Sequence, residues 1–183
     1  MRWLTLYARS RQVPATLVAA LVTTFAVWAL ADPPDPHLAA LSLVAAVAVL
    51  ATGLSGQDPH LDRTAAIRWL PRRLAHVVLI AAVSAALLLV FTTDLAPVSF
   101  VLRDSAGLAG LTALAAAVFG GHHAWTLPLG WLAVALFIPR TDDVGTRVLT
   151  WMLQEPDTPV ASWTAGVLAV VGTATYAVLR PRR

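Results

Sequence analysis

The chain has no cysteine, which excludes disulfide frameworks and thiolate metal sites. It has no lysine either: all 13 basic residues are arginine, a compositional bias that says nothing about mechanism. Charge of either sign is scarce, at 13% of residues. No P-loop, nucleophile elbow or zincin motif occurs, so the chain is not expected to be an enzyme by itself, and no cofactor is expected.

Apolar residues are what it does have. They make up 58% of 183 residues, with a mean hydropathy of +0.72, more than a soluble core of this size needs. Runs without a charged residue cover 12–31, 36–57, 74–93, 105–139 and 158–179. A helix crosses the ~30 Å hydrocarbon layer with ~20 such residues. Four runs fit one crossing each. The fifth is long enough for two with the lead-in from Ala96, and Gly120-Gly121 breaks it. The expectation is an all-α, polytopic membrane protein of one transmembrane domain. Its six spans lie at about 14–31, 38–55, 75–93, 98–119, 124–138 and 159–179. Ala29-Leu30-Ala31 resembles a signal-peptidase site, but the first run is read as a retained span.

The arginines orient these spans. Arg2, Arg9, Arg11, Arg63, Arg68, Arg72, Arg73, Arg180, Arg182 and Arg183 fall on one side, ten of 13. The positive-inside rule then puts both termini in the cytoplasm, with the protein in the cytoplasmic (inner) membrane. Of the acids, only Asp58 and Asp62 join that side. A pI near 10.5 would suit nucleic acid, but this distribution serves topology, so the bilayer and not nucleic acid is the expected partner. Most tryptophans and tyrosines fall at the expected interfaces; Trp131 lies near mid-span.

Three polar segments interrupt the spans. Residues 1–13 (MRWLTLYARSRQV) read as an interfacial helix. Residues 58–76 (DPHLDRTAAIRWLPRRLAH) hold the largest cluster of positive charge. Asp58 before Pro59 reads as a cap with proline at the first helical position, and Pro71 as the end or kink of a short helix over 58–70. This is either a basic inter-span loop or a docking element for a cytoplasmic partner. In the docking case Asp58, Leu61, Asp62, Arg63, Ile67, Arg68 and Trp69 would carry the contact. On the other side, Asp142-Asp143 can cap a short amphipathic helix over 144–154. Val144, Val148, Trp151 and Met152 would share its apolar face, resting on or dipping into the outer leaflet.

Other constellations are read against plainer explanations. Asp58 and Asp62 have the spacing of a magnesium-diphosphate pair, but no second acidic motif faces them, so a cap and a solvated charge suffice. His76, His122 and His123 fall near the inner ends of three spans, where they are either haem or metal ligands or ordinary interfacial histidines. Arg103-Asp104 lie within snorkelling reach of the outer surface, as a functional intramembrane pair or an interfacial one. Small residues (Ala106, Gly107, Gly110, then Ala161, Ala165, Gly166, Ala169, Gly172) serve close packing inside the bundle or a dimer seam. Pro128 and Gly130 break the fifth span. The break either turns Trp131 inward, toward a substrate path formed with Pro128, or is tolerated with Trp131 facing lipid.

The layout resembles the transmembrane subunit of ABC-2-type exporters, and residues 103–131 (RDSAGLAGLTALAAAVFGGHHAWTLPLGW) resemble the span 4–5 region of small actinobacterial permease-like proteins. The family has an amphipathic N-terminal helix, six spans with both ends inside, a coupling helix between spans 2 and 3, and a re-entrant helical element between spans 5 and 6. Residues 1–13, 58–70 and 144–154 match these in order. The resemblance implies a permease subunit that pairs with a second permease copy and docks a cytoplasmic ATP-binding subunit to move an amphipathic substrate. The alternative is a non-transporting membrane anchor or accessory subunit of another complex, and beyond it an integral-membrane haem or metal protein.

Overall fold

The structure, a computed structural model, describes residues 13–30, 36–52, 69–91, 96–139 and 141–179. The interfacial segment before Val13, the proposed docking residues 58–68 and the terminal arginines lie outside them. Among the described residues the chain is all-α. Its helices are α1 Val13–Leu30, α2 Pro36–Ala51, α3 Trp69–Phe91, α4 Val98–Phe119, α5 Thr126–Phe137, α6 Val144–Leu149 and α7 Pro159–Val178. Short 3₁₀ turns, Gly121–His123 and Trp151–Leu153, follow α4 and α6.

Proline marks where these helices begin. Pro14, Pro36, Pro71, Pro128 and Pro159 all fall within the first three residues of a helix, and Pro97 caps α4. The first backbone N–H groups of a helix have no carbonyl partner within it, so proline's missing donor costs nothing there. This corrects two expectations. Pro71 opens α3, with Trp69 and Leu70 ahead of it in the same helix, and does not end a separate one. Pro128 sits in the first turn of α5, which runs unbroken to Phe137; Leu129 N–H already bonds Trp125 O at 3.2 Å.

Among the described residues, three helices are long and apolar enough to cross a membrane: Leu70–Val90 of α3, α4, and α7. α4 is the central one. Of its apolar window 72% is buried, against 28% for α3 and 22% for α7. It packs against α2, α3, α5 and most extensively α7, while α1 leans on α2 and α3. The helices around it point large apolar side chains outward: Val18, Val22 and Phe25 on α1, Val78 and Val90 on α3, Trp163, Val170 and Val178 on α7. Apolar surface that extensive does not face water in a stable soluble monomer; it is the surface of a membrane protein. Two buried hydroxyls are satisfied within their own helices, Ser84 Oγ on Ile80 O at 2.9 Å and Thr112 Oγ1 on Leu108 O at 2.8 Å, while Thr24 Oγ1, Ser42 Oγ and Ser105 Oγ have no hydrogen-bond partner.

α4 and α7 run side by side with their backbones in contact. A Cβ on Gly172 would collide with the backbone of Gly110, and one on Gly110 with Leu168 and Ala169. The small residues facing this seam (Gly107, Gly110, Ala161, Ala165, Gly172) are buried, so internal packing accounts for them. Gly166 differs: it is exposed and a Cβ there would meet open space.

Candidate functional site

The chemistry gathers at the end of the bundle where α4 and α7 begin. Arg103 and Asp104, in the second turn of α4, form an ion pair with Nε to Oδ1 at 2.7 Å. Both side chains are withdrawn from the protein surface, at 7% and 0% exposure, so the pair is packed within the protein. Such a pair is tolerable in a dry setting only if its remaining donors are satisfied. Arg103 meets that condition with main-chain acceptors. Its guanidinium donates to Gln154 O at 2.9 Å and Glu155 O at 2.8 Å, with longer contacts to Trp151 O at 3.4 Å and Pro156 O at 3.5 Å. The Phe100 ring lies beneath it, 5.1 Å from centroid to Cζ. One side chain thus holds the whole segment 151–156 against α4.

That segment enters the bundle. Asp143 caps α6, its Oδ2 accepting from Gly145 N at 2.9 Å and Thr146 N at 3.3 Å. Arg147 pairs with Asp142 at 2.9 Å on the exposed side. The 3₁₀ turn that follows drives Trp151 and Met152 inward to complete burial. The indole fits because residue 107 is glycine: a Cβ there would stand 2.6 Å from Trp151 Cη2 and 3.0 Å from Ala165 Cα. Trp151 and Met152 therefore face protein and not the leaflet. Three buried polar atoms here lack a hydrogen-bond partner: Asp104 Oδ2, Ser105 Oγ and Trp151 Nε1.

Of the expected site residues, Asp58, Leu61, Asp62, Arg63, Ile67 and Arg68 lie outside the described residues, and Trp69 is placed only as the first residue of α3. Pro128 is buried in the first turn of α5. Trp131, one turn on, is half-buried against the core, and its Nε1 donates to Leu149 O at 2.9 Å. Trp131 thus faces the protein without a kink and holds the end of α6. Beside it an open cleft of about 430 Å³ is lined by His37, Ala135, Leu136, Ile138 and Leu153.

The opposite end has a simpler anchor. Arg73, in the second turn of α3, donates to Leu179 O at 3.1 Å and Tyr176 O at 3.3 Å and lies 5.6 Å above the Tyr176 ring. A cation satisfying the last carbonyls of α7 also complements its dipole. His122 and His123 are exposed in the 3₁₀ turn. No group of three or more His, Cys, Asp or Glu suited to a metal ion occurs among the described residues.

Sequence reasoning had singled out Arg103-Asp104 and the apolar face of 144–154 but not their connection. The partners of Arg103 are main-chain carbonyls about 50 residues away, which carry no side-chain signal. Comparison with protein-family models, with curated proteins and with solved structures finds no match to this chain.

Proposed function

We propose that the chain is a permease subunit of an ABC-type exporter, six-spanning with both termini in the cytoplasm of a cell whose inner membrane holds it. It would pair with a second permease copy and dock a cytoplasmic ATP-binding subunit through Asp58, Leu61, Asp62, Arg63, Ile67, Arg68 and Trp69. The observation that carries this reading is the segment 144–153 between α5 and α7: a short helix and a 3₁₀ turn whose Trp151 re-enters the bundle. The permease layout has a re-entrant element between the same two helices. Pro128 and Trp131, beside that element, border the proposed substrate path, and the apolar lining of the bundle suits an amphipathic substrate.

A non-transporting anchor or accessory subunit draws support from a different observation. The backbone contact of α4 and α7 through Gly110 and Gly172 ties two helices into one rigid unit.

Purification of the native protein in mild detergent separates the two. A copurifying ATPase with a GxxxxGK[ST] loop, stimulated by the chain, is expected of the permease. Apolar anchors of an interface commonly contribute ~2 kcal/mol or more each. Leu61→Asp with Trp69→Ala should therefore release that ATPase while the protein stays in the membrane. An unrelated complex as the only companion, or retention of the ATPase and its stimulation by the double variant, would move the accessory subunit ahead.

A further inference from the structure

Residues 151–156 have the construction of a strap that opens. They are fixed at both flanks: Trp131 Nε1 holds Leu149 O, and Thr158 N–H bonds Glu155 O at 3.1 Å where α7 begins. Between the flanks, the attachment to the bundle is of two kinds. One is Arg103, whose single side chain contacts the carbonyls of residues 151, 154, 155 and 156. The other is apolar: the Trp151 ring, wedged against Gly107 and Ala165, with the fully buried Met152 and the partly buried Leu153 beside it.

The closed arrangement also carries a cost. Trp151 Nε1 and Asp104 Oδ2 are buried without a partner, and a buried polar atom left unpaired opposes the state that buries it. Motion outward would release both to solvent or headgroups. It would also uncover an acidic side chain inside an apolar helix, a placement that is functional by default in membranes.

We propose that residues 151–156 are a gate over Asp104, with Arg103 as its latch and Trp151 as its wedge. Closed, the strap seals the carboxylate from the end of the bundle where α7 begins. Open, it empties the slot between Gly107 of α4 and Ala165 of α7 that the Trp151 ring fills. The latch works whether or not an ATPase docks at the other end, so this inference does not depend on the exporter reading.

The absence of native cysteine allows a direct test on the full chain in lipid nanodiscs, where both faces are accessible. Met152→Cys places a thiol on the buried side of the strap, and its rate of modification by a charged methanethiosulfonate reports opening. Arg103→Lys keeps the charge but loses the fork that reaches several carbonyls. It should raise the rate about tenfold, the factor that a single charge-assisted hydrogen bond is worth. Trp151→Phe removes the distal indole atoms that lie on Gly107, so it weakens the wedge and should also speed modification severalfold. Thermal unfolding of each variant separates this from a loosened fold, which would lower the unfolding midpoint as well. A cysteine at the exposed Asp142 should react equally in every background. If Arg103→Lys or Trp151→Phe leaves the Met152→Cys rate unchanged, or speeds it only in step with a lower unfolding midpoint, residues 151–156 are a fixed part of the core and the gate does not exist.

Discussion

At the scale of single residues, the absence of a side chain matters as much as its presence. Gly110 and Gly172 allow α4 and α7 to touch backbone to backbone, and Gly107 leaves the space that the Trp151 ring fills. Close approach substitutes in lipid for the hydrophobic effect, because helix association there is driven by packing and not by exclusion of water. Gly172→Ala must push the two backbones apart, and overpacking of this kind costs about 1–3 kcal/mol. Gly166→Ala, six residues earlier in the same helix, meets nothing and removes glycine's entropic penalty, so stability should hold or rise by up to about 1 kcal/mol. Thermal unfolding in one detergent compares the pair. Equal losses at both positions would mean that glycine is needed for something other than the α4–α7 contact.

At the scale of elements, α6 is the most dependent on its cap. It has six residues, too few to be stable alone, and Asp143 supplies partners for two of its free N–H groups. Asp143→Ala should cost about 0.5–2 kcal/mol, confined to this helix. Hydrogen exchange should then speed up at the Thr146 and Arg147 amides and stay unchanged in α4; uniform acceleration would show that the cap supports the whole bundle. The long helices were legible because an apolar run interrupted by arginine, proline or paired glycine has few other outcomes. Their starts were less so. Pro71 and Pro128 have the same appearance in a sequence whether they bend a helix or begin one, and the first turn's position decides which. Trp151 and Met152 were legible as apolar anchors, but the helix expected over 144–154 ends at Leu149, Val144 is exposed, and the surroundings were not legible. An apolar stripe with Trp151 and Met152 suits a leaflet or a protein core equally, and the choice rests on Gly107 and Ala165, which belong to other helices. Burial of Arg103 was hidden for a related reason: its depth in the chain suggested snorkelling, while its acceptors are carbonyls of residues 151–156.

At the scale of the whole molecule, the arrangement sets two arginines at opposite ends. Arg73 stands near the start of α3 and Arg103 near the start of α4, and the short link between these packed helices makes them antiparallel. With 23 and 22 residues, α3 and α4 rise about 35 and 33 Å, enough to cross the hydrocarbon layer. α5 has only 12 residues and rises about 18 Å, with the Gly121–His123 turn before it and extended Ile138 after it. Whether it crosses decides whether the chain turns back an even or odd number of times, and the arginines give an answer. On the proposed six-span reading, which places ten of 13 on one side, the count is even and both termini lie together. Single cysteines in this cysteine-free chain test it in intact cells with a membrane-impermeant thiol reagent. Positions 35 and 157 should label from outside, and positions 57 and 182 only after the membrane is opened. Labelling of position 182 from outside together with position 35 would overturn the even count and the placing of both termini on one side.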